Sequence, residues 1–367
     1  MMAETNQLKK NSPPHRIAGL DAIRVVAIFS VIAGHFWVLN TPFRETVFNA
    51  HGMFLQGLSY LLFNATGVPL FIMMTGFLNA HKTECNWKYY RGGIRVIIAY
   101  LFFAVVTILF RKFWLEEDLS WIKWGLKILD FSAIPYGWYI EMWIGLYLLT
   151  PFLNLMYRAI PTKRQKQTLL GTLFVLTALP DLFNRYGFHL VPGFWQEVFP
   201  LTFFFIGLYI REYEPRLTGK KVWVAIAVII LVCAINPIFN MLFVKNHTMI
   251  QIVGGTNGVF GTIVAVLVFL LLYKVDIKNH VTTAVLKRVS LLSLDMYLCC
   301  YIFDRIFYPY FLDCYFVNQS QFGKYFFVIV PLVFLSSLVV AQFKEWLFAL
   351  GGRLLGLKKR DPNKMSL

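Results

Sequence analysis

LDAIRVVAIFSVIAGH, residues 20–35, is an apolar run with Asp21 and Arg24 at one end and His35 at the other. Apart from these three it reads as part of a membrane-crossing helix, and ionisable groups at membrane depth are costly enough that they usually face a water-filled cavity or one another. The eleven-residue step from Arg24 to His35 is close to three helical turns, so both side chains share a face, about 16 Å apart along the axis. Asp21, three residues before Arg24, lies on that face and is placed to pair with it. At about 21 Å from His35 it is too far away to orient the imidazole. Some other acid must do so, and interhelical glue is the bland alternative for each of these charges.

The rest of the chain has the same character. Of 367 residues 58% are hydrophobic and 15% charged, and the mean hydropathy of +0.60 excludes an ordinary soluble domain. The expected fold is all-α, a polytopic membrane protein with about ten transmembrane helices near 17–39, 53–80, 94–111, 136–157, 168–184, 195–210, 222–243, 253–273, 288–309 and 325–350. The first is too long for a signal-peptide core and is read as a retained span. With both termini cytoplasmic, 24 of the 35 Lys and Arg fall on inner segments and 8 on outer ones, the bias that orients membrane proteins. The net charge of +16 is therefore assigned to cytoplasmic loops, and no nucleic-acid partner is expected.

The expected division is a cytoplasmic N-terminal tail (1–16), one membrane domain (17–350) and a cytoplasmic C-terminal tail (351–367). Residues 111–135, rich in Trp among charges, are expected to hold a helix lying in the membrane interface. The five cysteines have no metal-ligand spacing, so neither disulfides nor a metal are expected. Three Asn-x-Ser/Thr matches, at Asn64, Asn246 and Asn318, are assigned no function. The glycine-rich GGTNG at 254–258 suggests a hinge or a close approach of backbones.

Depth counting along alternating helices places His35, Glu141, Asp304 and Arg305 in an outer polar layer. Asp21, Arg24 and Asp295 fall in an inner one, near Arg91 and Arg95 on a basic loop. This suits a long anionic ligand that enters from the cytoplasm. Coenzyme A has that shape, with phosphates suited to the guanidinium groups of Arg24, Arg91 and Arg95 and an arm that could carry a thioester towards His35. Histidine could then deprotonate a hydroxyl or accept the acyl group itself. Glu141 is the first choice to orient His35 and Asp304 its rival. Arg305 could serve a charged acyl group such as succinyl.

The same residues resemble a known family. LDAIRVVAIFSVIAGH is similar to the first helix of the acyltransferase 3 family of bacterial integral-membrane O-acyltransferases, with Arg24 and His35 in its Arg-x10-His arrangement. GVPLFIMMTGFL (67–78), YYRGGIRVIIAY (89–100), GWYIEMWIGLYLLTP (137–151) and, more weakly, SLLSLDMYLCC (290–300) resemble its later motifs. Arg91 and Arg95 are four apart where the family commonly has three, a histidine near the Trp-Tyr pair is missing, and Cys300 stands where histidine is frequent. The resemblance implies a stand-alone O-acetyltransferase of the bacterial inner membrane, with acetyl-coenzyme A or another acyl-coenzyme A as donor and a glycan or lipid-linked sugar as acceptor. In that reading His35, Glu141 and Asp304 are catalytic, Arg24, Arg91, Arg95 and Asp21 hold the donor, and Trp138, Tyr139 and Arg305 meet substrate. The expected partners are the bilayer, the donor and the acceptor, with a homo-oligomer left open. The alternative is a transporter or flippase for an anion with His35 and Glu141 as a proton relay, although no repeated halves are seen.

Overall fold

The computed structural model describes residues 17–41, 46–184, 189–245, 249–250, 256–315 and 323–354. The terminal tails at 1–16 and 355–367, Asn246, Asn318 and the first two glycines of GGTNG lie outside the described residues. Among the described residues the chain is helical with no strand. The helices are α1 (Ala18–Val38), α2 (Ala50–Thr66), α3 (Val68–Asn79), α4 (Trp87–Tyr90), α5 (Ile94–Phe113), α6 (Trp121–Leu129), α7 (Trp138–Ala159), α8 (Lys163–Phe183), α9 (Phe199–Tyr213), α10 (Lys220–Phe243), α11 (Val259–Leu272), α12 (His280–Cys314) and α13 (Phe326–Leu354). A 3-10 turn, Gly193–Val198, leads into α9.

Helices lie over all ten expected stretches, and six stretches, among the described residues, are long and apolar enough to cross a membrane: Ala18–Val38, Ala50–Asn79, Trp87–Phe113, Gly193–Tyr213, Lys220–Phe243 and Gly323–Gly351. The second expected span is broken at Gly67, where α2 ends and Pro69 enters the first turn of α3. Proline suits a first helical turn because its missing N–H would be unpaired there anyway. Several helix starts are set by side chains that accept an orphan backbone N–H: Asn49, Asn86, Ser120, Thr162 and Asn279 cap α2, α4, α6, α8 and α12.

The opening helix is the axis of the bundle. α1 packs against α2, α3, α11, α12 and α13, with Ile23, Ile28, Ile32 and Phe36 fully buried. Lipid tails are as apolar as these side chains, so burial alone does not hold spans together; close packing and buried polar pairs must contribute. One such pair is the 2.8 Å hydrogen bond between the Ser30 and Thr66 hydroxyls, another the 2.9 Å bond between Thr177 and Thr202. Close packing is tightest where α3 crosses α9. A Cβ on Gly76 would sit 2.1 Å from the Phe204 carbonyl oxygen, and one on Gly207 2.1 Å from that of Met73.

The Trp-rich outer segment does contain a helix, α6, which exposes Trp121, Ile122, Leu126 and Leu129. Trp124 turns inward instead and is buried beneath the Arg111 guanidinium, 5.0 Å from its ring. Arg111 forks onto Glu117 at 2.7–3.1 Å and donates to the carbonyls of Ser132 and Ala133, each at 3.1 Å. Arg111, with a 2.8 Å bond from the Tyr100 hydroxyl to the Ile128 carbonyl, folds residues 111–135 back onto α5.

Candidate active site

His35 sits in the last turn of α1. Its Nδ1 lies 3.5 Å from Oδ2 of Asp304, and the two side chains are 14% and 0% exposed. The same Asp304 oxygen accepts a 2.8 Å hydrogen bond from the Tyr136 hydroxyl and a 3.3 Å bond from Asn40 Nδ2. Asn40 also donates to the His35 carbonyl oxygen at 3.1 Å, so the residues just beyond α1 fold back over its end. The Tyr136 ring lies against the imidazole with centroids 3.9 Å apart. Cys300, one turn before Asp304 on α12, brings Sγ to 3.8 Å from His35 Nδ1.

This arrangement favours one tautomer of the imidazole. An acid on one ring nitrogen favours the tautomer with hydrogen on that nitrogen, leaving the lone pair on the other. Asp304 on Nδ1 thus leaves Nε2 as the basic atom, and it steadies the imidazolium that forms when Nε2 takes a proton. Asp304 is itself held by two donors on one oxygen, while its buried Oδ1 has no hydrogen-bond partner among the described residues.

At the other end of the same helix face lies a cavity of about 240 Å³ lined by Arg24, Arg95, Lys344, Asp295, Ser290 and Tyr139 among others. Arg24 reaches Ser290 Oγ at 3.5 Å. Lys344, from α13, forks onto both oxygens of Asp295 at 2.8 and 3.0 Å. The basic turn before α5 is anchored to α7 by two tyrosines that exchange bonds, Tyr89 Oη to the Tyr147 carbonyl and Tyr147 Oη to the Tyr89 carbonyl, each at 2.6 Å, with the rings stacked 4.6 Å apart. The wall between cavity and histidine is made of tyrosine. Tyr139 and Tyr297 line the cavity with ring centroids 5.5 Å apart, and the Tyr297 hydroxyl donates to the backbone carbonyl of Tyr136.

Of the residues singled out from the sequence, the structure brings together His35 with Asp304, and Arg24 with Arg95. Glu141 is not at His35; it is exposed in the first turn of α7. Tyr139, Ile140 and Trp143 face inward, and Glu141 falls on the opposite side of the helix. Arg91 is exposed and outside the cavity lining, because Tyr89 takes the inward face of α4. Asp21 is buried in the first turn of α1, where an acid suits the helix dipole. Trp138 is half exposed. Tyr139, expected on the acceptor side, lines the cavity of Arg24 instead. Arg305 is exposed although its neighbour Asp304 is fully buried.

Four residues had not been singled out: Asn40, Tyr136, Ser290 and Lys344. Lys344 and Asp295 are both ionisable groups inside apolar segments, so their pairing was open to inference from depth. Nothing in the sequence marks Asn40 or Tyr136, which act through contacts 264 and 168 residues away.

A family model described as an acyltransferase domain, acyltransferase 3, matches residues 17–341. No curated protein and no solved structure matches the chain. The matched span contains α1 with His35 and Arg24, the basic turn, α7, and Asp304 on α12, so the chain belongs to the acyltransferase 3 family and is a multi-pass membrane acyltransferase.

Proposed function

We propose that this protein moves an acyl group, acetyl foremost, from acyl-coenzyme A in the cytoplasm to a hydroxyl of a cell-surface glycan or its lipid-linked precursor. It works in a bacterial inner membrane through about ten spans, with both termini cytoplasmic. The observation that carries the reading is the pairing of His35 with the buried Asp304 at one end of α1 and a cationic cavity at the other. Arg24, Arg95 and Lys344 are suited to the donor's phosphates, and the 16 Å between Arg24 and His35 suits an extended arm that ends in a thioester.

In this scheme Nε2 of His35 takes the proton of the acceptor hydroxyl as its oxygen attacks the thioester carbon. The carbon–sulfur bond then breaks, and the departing thiolate takes that proton back from Nε2. Asp304 keeps the Nδ1–H in place throughout. Tyr136 and Asn40 hold Asp304 and act as positioning residues. Tyr136→Phe is expected to lower turnover about tenfold, the value of one hydrogen bond to a charged group, and to leave the dissociation constant for the donor within twofold. Equal turnover in Tyr136→Phe and the parent would remove Tyr136 from the scheme.

The test of the reading is binding and slow hydrolysis of acetyl-coenzyme A by the purified protein. Arg24→Ala should weaken binding by 10- to 100-fold through the loss of charge-assisted bonds. Lys344→Met alone leaves the Asp295 carboxylate buried without its cation and should destabilise the fold by about 3 kcal/mol. The double variant Lys344→Met/Asp295→Asn removes that penalty and isolates the donor contact, so it should elute like the parent and bind the donor more weakly. Absence of binding by the parent to a series of acyl-coenzyme A donors would replace this reading with anion transport, measured as uptake into liposomes.

A further inference from the structure

The His35 corner contains a donor set that acyl transfer does not use in full. His35 Nδ1, Cys300 Sγ and an Asp304 carboxylate oxygen all lie within 4.8 Å of one another. Two of the separations are 3.5 Å for nitrogen to oxygen and 3.8 Å for sulfur to nitrogen. A tetrahedral zinc site with bonds of about 2.0 Å to nitrogen or oxygen and 2.3 Å to sulfur has edges of about 3.3–3.6 Å. These two edges thus stand a few tenths of an ångström from ligating geometry, and the third, from sulfur to the carboxylate oxygen, is within 4.8 Å.

Three further features favour a metal. Cys300 and Asp304 are fully buried, and a divalent cation bound by one thiolate, one carboxylate and a neutral imidazole makes an assembly of zero net charge, which a low-dielectric interior tolerates. The Asp304 oxygen nearest the imidazole, Oδ2 at 3.5 Å, is oriented by Tyr136 and Asn40, as the outer hydrogen bonds of metal ligands do, and the buried Oδ1 has no hydrogen-bond partner among the described residues. Imidazole, thiolate and carboxylate on one centre is also a donor mixture that suits zinc rather than magnesium or calcium.

We infer that His35, Cys300 and Asp304 form a site for one zinc-class divalent cation, and that its occupation switches acyl transfer off by taking the Nδ1 of His35. On binding, the Cys300 S–H bond breaks, a sulfur–metal bond forms and one proton passes to bulk water. Three protein donors leave a fourth position for water. A metal on Nδ1 leaves only an N–H at Nε2, which cannot accept the proton of a hydroxyl. The inhibitory consequence rests on the proposed acyl transfer; the binding of metal does not.

Cobalt(II) separates the two. In the full chain carrying Cys85→Ser and Cys314→Ser, which removes the two exposed thiols, titration should give a near-ultraviolet thiolate-to-cobalt charge-transfer band. It should come with the intense visible bands of tetrahedral cobalt, saturate at one equivalent and be displaced by one equivalent of zinc. Adding Cys300→Ser should abolish the charge-transfer band without altering elution from size exclusion. Asp304→Asn should keep the band but weaken binding at least tenfold. Zinc should inhibit acyl transfer by the parent, and the activity left in Cys300→Ser should need at least tenfold more. No band at one equivalent, or a band that survives Cys300→Ser, overturns the site. A band with the expected behaviour in a protein that binds no acyl-coenzyme A would keep the metal site and discard the acyl-transfer reading.

Discussion

Replacing His35 with alanine is expected to lower the turnover of acyl transfer by about a hundred- to ten-thousandfold while leaving the affinity for the acyl-coenzyme A donor within twofold. The size follows from what a positioned general base supplies, about 10²–10⁴ in rate. The separation of effects follows from geometry. Arg24, which lines the cavity, sits about 16 Å from the imidazole along α1, and His35 is not among the cavity's lining residues. Asp304→Asn should fall in the same direction by a smaller factor, about a hundredfold, because Nε2 survives while its tautomer and its developing charge lose their support. Coenzyme A release followed by mass spectrometry, together with equilibrium binding of a non-hydrolysable donor analogue, separates the two quantities. If His35→Ala weakened donor binding and turnover by the same factor, histidine would be a binding group and the proposed chemistry would fail.

The largest loss of helix packing is expected at the crossing of α3 and α9. A Cβ introduced at position 76 or 207 would meet a backbone carbonyl oxygen at 2.1 Å, far inside van der Waals contact. A carbonyl in a helix cannot rotate aside as a side chain would, so the helices must separate. The buried residues that flank the crossing, including Met73, Phe77, Phe204 and Leu208, would then lose packing on both sides. Overpacking of this kind costs about 1–3 kcal/mol. Gly76→Ala and Gly207→Ala should each lower the temperature at which the detergent-solubilised protein loses its monodisperse elution peak, and Gly207→Leu should abolish the peak. Gly145→Ala is the matched control, since among the described residues nothing lies within 4 Å of a Cβ there, and alanine in a helix is about 0.5–1 kcal/mol better than glycine. Equal heat resistance of all three alanine variants would show that the crossing yields without loss.

Much of the site was legible because helical periodicity is a local rule. The eleven-residue step from Arg24 to His35, and the four-residue step from Cys300 to Asp304, place each pair on one face of one helix whatever surrounds it. Depth counting correctly put His35 and Asp304 at the same level. It could not choose between Asp304 and Glu141, because depth says nothing about rotation about the helix axis. Rotation is settled by which neighbours are buried: Tyr139, Ile140 and Trp143 take the inner face of α7 and leave Glu141 outside. The same limit explains Arg91, displaced by Tyr89, and Arg305, one position past the buried Asp304.

By itself, then, the sequence determined an all-helical membrane chain, the stretches that become helices and the face shared by Arg24 and His35. All of these follow from hydropathy and from a period of 3.6 residues. Tertiary structure alone decided that Asp304 rather than Glu141 meets His35, that Tyr136 and Asn40 hold the acid, and that Cys300 comes within 3.8 Å of the imidazole. Each of these contacts joins different helices or the segments beside them, several across more than 160 residues of chain. Such contacts depend on how helices are rotated and stacked by the packing of their neighbours, which no local periodicity specifies.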